Sequence, residues 1–195
     1  MRPTALAFAA ALAAAPAAGF ADAFAFDPGH TEVRIYWNHA GFSEQSAEFH
    51  VLDGGVTFSP DALDATGVDV TVKVDSIDTG IEALDTHLKS ADFFDAGNFP
   101  DARFVSTGVE QTGERTAKMT GDLTLRGVTR PVTLDVTVVN YGEHPVGAFY
   151  DYFKGQWLGA RAETVINRSD WGIDMFIPVA SDEIRVVIST EMKAQ

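Results

Sequence analysis

Histidine and carboxylate side chains can bind metal ions or transfer protons, so their spacing indicates which chemistry the chain supports. No two of the five histidines have a separation that puts two metal ligands on one face of a helix or strand; they are His30, His39, His50, His87 and His144. His39 and Glu48 are placed to meet across a hairpin, which is more typical of a surface pair. The spacing therefore predicts no metal site.

Nucleophilic and acid–base motifs are also missing from the sequence. Asp170 and Asp174 flank Trp171, and we interpret Asp170 as a turn-stabilising side chain rather than one of two catalytic carboxylates. The 195 residues contain no cysteine and neither a Gly-x-Ser-x-Gly nor a Gly-x-Gly-x-x-Gly motif. We therefore predict no catalytic residue, no required cofactor and no enzymatic activity.

The segments that position these side chains alternate apolar and polar residues, as strands with one buried face do. The alternation is strong in residues 68–74, 132–138 and 184–192. It is weaker in residues 33–37, 49–58, 103–111, 116–125 and 156–166. Eight such runs joined by short turns predict an all-β fold, a barrel or a sandwich of antiparallel strands.

Two stretches depart from this alternation. Ile81, Leu84 and Leu88 have helical spacing, which predicts one short helix over about residues 78–90. Three phenylalanines follow in the irregular residues 91–100, and Tyr141–Trp157 form a second irregular, aromatic stretch. Aromatic residues in loops must pack on something, so we expect both stretches at an end of the sheet or barrel, or at a partner surface.

The charge of the chain excludes some partners. There are 28 acidic and 14 basic residues, a formal net charge of −14. This excess repels phosphate backbones and anionic membrane surfaces, so we predict no nucleic-acid partner.

The N-terminus indicates a cellular location. A basic start at Met1-Arg2 precedes an alanine-rich apolar run and the small residues near Ala21 and Ala23. That run is shorter than the roughly 20 residues of a spanning helix. We predict a cleavable secretory signal over residues 1–23 and one domain over residues 24–195. The mature protein is then periplasmic and not stably inserted in a membrane.

Several segments resemble, in order, the signatures of the YceI-like family of secreted, lipocalin-like proteins. The chain opens with Phe26-Asp27-Pro28-Gly29-His30-Thr31, with His39 and Phe42 downstream. The other matching segments are residues 85–95 with 98–100 and 102–104, residues 121–132, and residues 162–173, which contain Asn167-Arg168-Ser169-Asp170-Trp171-Gly172. Together they span Phe26 to Met192.

The resemblance implies an eight-stranded antiparallel, lipocalin-like barrel that holds a polyisoprenoid or another apolar lipid in an elongated cavity. The candidate tunnel-lining residues are Phe42, Phe49, Phe93, Phe94, Phe104 and Trp171. The candidate head-group ligands are His87, Lys89 and Arg168. A solid core filled by the same aromatic side chains stays open as an alternative.

The sequence therefore predicts a non-catalytic periplasmic binding or carrier protein for an elongated apolar lipid of polyisoprenoid, quinone or fatty-chain type. Two alternatives remain. One is a quinone-linked redox accessory protein. The other is an interaction protein with a filled core that uses the aromatic Tyr141–Trp157 loop. A homodimer is compatible with each.

Overall fold

The alternating segments form antiparallel strands in a computed structural model that describes residues 21–50 and 52–195. The strands are β1 (Asp22–His39), β2 (Ser43–Phe49), β3 (Leu52–Phe58), β4 (Gly67–Lys73), β5 (Ile77–Asp78), β6 (Asp101–Gln111), β7 (Thr116–Leu125), β8 (Val128–Glu143), β9 (Gln156–Asn167) and β10 (Glu183–Ala194). The helix is α1 (Glu82–Lys89). The predicted signal over residues 1–23 lies outside the described residues except for Ala21–Ala23.

The strands close into the predicted eight-stranded barrel. The ring runs β1-β3-β4-β6-β7-β8-β9-β10, and β10 pairs back with β1, with Val33 opposite Ile188. Strand β3 pairs with the first half of β1, and β2 pairs with its second half. In the same way, β4 pairs with β3 and β5 pairs with β2. Thus β2 with β3, and β4 with β5, each act as one interrupted strand. Closure leaves the ring no free edge.

Residue alternation decides what faces the interior. On β9, Leu158, Ala162 and Ile166 point inward, and their neighbours Trp157 and Val165 point outward. The residues of β10 that pair with these positions face the same way, inward or outward, because the register between β9 and β10 has no shift. The interior is therefore lined almost entirely by apolar side chains.

The two ends of the barrel are built differently. At the lower end, where β1 begins, the Phe24, Phe58 and Tyr141 rings close the interior with centroids 5.3–6.2 Å apart. At the upper end, where β1 ends at His39, the interior is covered by α1, residues 90–100 and the β9–β10 connection. The rings at the lower end meet edge to face or tilted.

Helix α1 is shorter than the predicted residues 78–90. The Gly80 N–H donates to Asp78 Oδ1 at 2.6 Å, and Gly80 has a φ of 76°. This turn keeps residues 78–81 out of the helix. The Asp85 carboxylate in the first turn accepts from the Thr79 N–H and hydroxyl, both at 2.7 Å, which fixes the helix start. Among residues 21–50 and 52–195, no helix is long and apolar enough to span a bilayer.

The aromatic stretch after β8 lies on the outer wall near the lower end. Only its first residue, Tyr141, closes the barrel end. Trp157 points outward and is buried by Phe153, stacked at 5.3 Å, and by His144 at 5.2 Å. The Lys193 ammonium lies 5.1 Å from the Tyr152 ring centroid. The stretch is thus a cover for one outward tryptophan.

A bulge in β1 anchors this cover. The pairing with β10 shifts between Phe26 and Thr31, and the buried Asp27 accepts hydrogen bonds from His30 Nδ1 at 2.8 Å, the Gly29 N–H at 3.0 Å and the Tyr152 hydroxyl at 3.2 Å. Burial raises the pKa of the Asp27 carboxyl, but these hydrogen bonds outweigh it and leave the pKa below 3.8. The same hydrogen bond, donated by His30 to the Asp27 carboxylate, raises the pKa of His30 above 6.5.

We expect this bulge to make stability depend on pH. Because the His30 pKa is raised in the folded state, its contribution is complete below about 6.5 and is lost as pH rises through the folded value. Wild-type unfolding free energy should therefore fall across that window, and His30→Gln should flatten the fall. Urea unfolding from pH 5 to 9 measures this.

The matched control is His50→Gln, a half-exposed histidine that immediately follows β2 and does not contact Asp27. It should keep the wild-type slope. A His30→Gln protein with an unchanged slope would contradict the role assigned to the Asp27–His30 pair.

Candidate ligand-binding cavity

The barrel interior contains two adjoining cavities. The inner cavity, of about 210 Å³, lies toward the lower end, and the outer cavity, of about 450 Å³, lies under α1. Five residues line both and form a ring that we call the waist: Val33, Val72, Leu123, Ile166 and Val186. The two cavities adjoin at the waist along the barrel axis, so the unfilled interior space is elongated, and we refer to both cavities together as the channel.

The inner cavity is almost purely apolar. Its few polar contributions include the Thr31 and Thr190 hydroxyls, which are 2.8 Å apart and hydrogen-bond each other. Thr66 Oγ1 is buried and has no hydrogen-bond partner among the described residues. Arg115 also reaches the lining, at the lower end, and donates to the Val139 carbonyl at 3.1 Å. Such walls favour a hydrocarbon chain over any charged group.

The outer cavity combines aromatic walls with polar groups. Phe49 and Phe94 meet edge to face at 5.9 Å. The imidazole of His87 lies 5.0 Å from the Phe93 ring, and its Nε2 is 3.5 Å from an Asp92 carboxylate oxygen. His39 is a second imidazole in the lining. The polar end of a ligand in the outer cavity could therefore hydrogen-bond to His39 and His87 near the upper, open end of this cavity, which we call the mouth.

Arg168 holds the connection between β9 and β10 in place. Its guanidinium is buried and donates to the carbonyls of Ile173 and Ser181, both at 2.8 Å. It also donates to the carbonyls of Met175 and Ala180, both at 2.9 Å. Burial lowers the pKa of Arg168, and the carboxylates of Asp182 and Asp174 oppose that shift. Arg168 lines the outer cavity, but four of its five N–H donors bind carbonyls of this loop.

The loop that Arg168 fixes forms part of the cavity mouth. Phe176 and Val179 line the outer cavity and remain 55% and 57% exposed. Phe176 has a φ of 63°, an unfavourable value for a bulky side chain. Its ring lies 6.0 Å from His87 and 6.3 Å from Phe93. Arg168 donates hydrogen bonds to backbone carbonyls before and after Phe176, and these hydrogen bonds stabilise its conformation.

The structure brings most of the predicted site residues to the channel. Phe49, Phe93, Phe94, His87 and Arg168 line the outer cavity, and Phe104 lines the inner one. Whether they touch a ligand stays a prediction.

Two of the predicted tunnel-lining residues lie outside the channel. Phe42 is 93% exposed in the β1–β2 turn, because the turn carries it past the end of the barrel. Trp171 is buried, but its indole packs into the wall and donates to the Leu123 carbonyl at 3.2 Å. Lys89, the last residue of α1, is not part of either lining, and its role as a head-group ligand stays a prediction.

Sequence reasoning missed four lining residues near the mouth: Trp37, His39, Phe176 and Val179. The alternation of Val33, Ile35 and Trp37 on β1 could have identified the tryptophan. Phe176 and Val179 lie in an irregular loop whose orientation depends on Arg168, so no periodic signal marks them.

Outside the channel, Asp27, His30 and Glu191 place potential ligand atoms within 4.8 Å of one another. Both Asp27 oxygens already accept protein hydrogen bonds, as described above. The group therefore has a structural explanation in the anchoring of the aromatic cover.

Comparison with known proteins identifies the family. Residues 24–192 match the family model described as the YceI-like domain. The chain belongs to the YceI-like family. It is 37% identical to protein YceI of Escherichia coli O157:H7 over 162 residues, which cover 83% of this chain and 81% of that protein. Identity to protein YceI of Salmonella arizonae is 36% over the same length.

Solved structures share the barrel. BcnA of Burkholderia cenocepacia superposes with a TM-score of 0.75 at 22% identity, covering 86% of this chain and 99% of that one. The YCEI protein of Campylobacter jejuni gives 0.68 at 27% identity, covering 81% and 89%. A polyisoprenoid-binding domain from Saccharophagus degradans gives 0.63 at 14% identity, covering 91% and 100%. These likenesses confirm the YceI-like fold.

The role of Arg168 in this YceI-like barrel is testable. Arg168→Lys keeps the charge but cannot reach four carbonyls, and buried carbonyls left unpaired are costly. We expect the unfolding free energy to fall by about 3 kcal/mol. Urea unfolding measures it.

Arg161→Lys is the control, because Arg161 is an exposed arginine on β9, the strand that ends immediately before Arg168, and it has only a 4.0 Å ion pair. It should change stability by less than about 0.5 kcal/mol. Equal effects of the two substitutions would contradict the anchoring role.

Proposed function

We propose that this protein is exported to the periplasm and carries one elongated apolar lipid, of polyisoprenoid, fatty-chain or quinone type, without catalysing a reaction. The observation that carries the proposal is the pair of largely apolar cavities that adjoin at the waist inside the barrel. The structural likeness to a polyisoprenoid-binding domain supports it. The secretory pattern at the N-terminus supports the location.

The polarity of the channel favours one orientation of the lipid. Burial of a hydrocarbon chain gains about 0.8 kcal/mol per CH₂ group. The inner cavity offers that burial, and its Thr31 and Thr190 hydroxyls satisfy each other. His39 and His87 lie in the outer cavity. The tail therefore points to the lower end and the head group to the mouth.

The chemistry at the mouth favours a weakly polar head group. A pyrophosphate needs several cationic donors, yet four of the five Arg168 N–H donors are bound to carbonyls and Lys89 lies outside the lining. Two imidazoles can give one or two hydrogen bonds. We therefore expect a hydroxyl, carbonyl or quinone head group.

The residues that line the outer cavity also support the proposal that the protein binds lipid without catalysing a reaction. Within residues 21–50 and 52–195, the titratable lining groups of the outer cavity are His39, His87 and Arg168. None is paired with a hydroxyl or carboxylate nucleophile in the lining. The pair that His87 does make, with Asp92, is at a partly exposed position.

Narrowing the waist tests the channel. Ile166 points inward at the waist, and Ile166→Trp should obstruct a tail that crosses it. We expect the dissociation constant for cis-parinaric acid, a fluorescent fatty-chain probe, to rise at least about tenfold. Because the channel has room, the melting temperature should change little, unlike the roughly 1–3 kcal/mol cost of overpacking a filled core.

The adjacent Val165→Trp is the matched control, because Val165 is 53% exposed on the outer wall. It should bind the probe like the wild type. Unchanged probe binding by Ile166→Trp, together with a large loss of stability, would overturn the channel and favour a filled core.

A further inference from the structure

Exposed apolar side chains are gathered at the upper end of the barrel. Phe42 in the β1–β2 turn is 93% exposed, and Ile81, immediately before α1, is 55% exposed. Phe176 and Val179, in the β9–β10 connection, are exposed to a similar extent. We call these four residues the rim. Water-exposed aromatic and branched side chains in one place mark an interaction surface.

Backbone contacts connect the parts of the rim. The Ala40 N–H donates to the Val179 carbonyl at 2.6 Å, and His39 forms an isolated bridge with Ala180. The turn that carries Phe42 is therefore fixed beside Val179. On the other side, the contact of the Phe176 ring with His87 joins the loop to α1. The rim is one connected surface built from three segments.

The rim is continuous with the channel. Phe176 and Val179 belong to it and also line the outer cavity. A lipid that enters or leaves through the mouth slides along these two side chains. If the rim faced water, each emerging CH₂ group would lose about 0.8 kcal/mol of burial. An apolar phase pressed against the rim removes that cost, and the apolar phase that supplies such lipids is a bilayer.

Charges near the rim indicate which bilayer surface fits. Glu44, Asp92 and Asp174 are exposed on the three segments or next to them. Cations at this end include Arg185, which is paired with Glu44 at 3.1 Å, Arg126, which donates to the Gly172 carbonyl at 3.0 Å, and Lys89 at the end of α1, so the exposed acids are partly balanced. Exposed carboxylates repel anionic lipid headgroups, but they do not repel zwitterionic headgroups, which have no net charge.

We propose that the rim docks on the surface of a zwitterionic lipid bilayer, where lipid passes directly between the membrane and the channel. This inference rests on the proposed function, since it names the surface from which the lipid is loaded. Binding is reversible and shallow, because four side chains bury far less area than an amphipathic anchoring helix.

Vesicle binding tests the docking surface. Phe42→Asp removes the most exposed rim side chain without touching the channel lining, so the fold and the cavity stay intact. Co-sedimentation with phosphatidylcholine vesicles should detect wild-type binding, and Phe42→Asp should lower the partition coefficient at least about tenfold. Adding phosphatidylglycerol to the vesicles should weaken wild-type binding further.

Phe149→Asp is the matched control. Phe149 is 82% exposed but lies on the aromatic cover near the lower end, away from the channel. It should bind vesicles like the wild type. Equal losses in the two variants, or tighter binding to phosphatidylglycerol vesicles, would overturn the proposed orientation. Binding to native membranes but not to protein-free vesicles would overturn it in favour of a protein partner.

Extraction of bound lipid from the same samples separates the two proposals. A wild-type protein that carries lipid but does not sediment with vesicles overturns the docking surface and leaves the carrier function standing. A protein that sediments through Phe42 but carries and accepts no lipid supports the docking surface alone, and overturns both the carrier function and the passage of lipid between membrane and channel.

Discussion

Closure of eight antiparallel strands sets the width of the interior, and the side chains that point inward decide whether that width is filled. In this barrel many inward positions hold valine, alanine or threonine, such as Val68, Ala160 and Thr164. The larger Phe104 is accommodated because it lies against Gly121, where an added Cβ would approach its ring to 2.3 Å. Small inward residues around a fixed circumference leave the elongated channel, and the other features of the molecule follow from it.

The difference between the two ends gives the channel a direction. Aromatic rings close the lower end, and the cover over Trp157 supports the outer wall beside it. The upper end is made of irregular segments whose backbone carbonyls need partners once they are buried. The Arg168 guanidinium supplies four of those partners at 2.8–2.9 Å. A single buried cation thus shapes the mouth through hydrogen bonding.

Alternation of apolar and polar residues along a strand is a local property, so it predicted the antiparallel strands. The resemblance to the YceI-like family implied the eight-stranded barrel. The runs at 68–74, 132–138 and 184–192 lie on strands with one apolar face inward, as expected, and the helix near residue 84 is present. The positions of Phe42 and Trp171 could not be predicted in this way, since each lies in a turn whose direction depends on distant hydrogen bonds. Phe176 was missed for the same reason. The periplasmic location and a homodimer stay predictions.

The central claim is that the channel holds an elongated apolar lipid, and native mass spectrometry of the protein purified from the periplasm tests it most directly. Organic extraction of the same sample then identifies the bound compound. The account predicts a stoichiometric adduct with the mass of an isoprenoid, fatty-chain or quinone lipid. A protein that shows only its own mass, and still does so after incubation with such lipids, would contradict it.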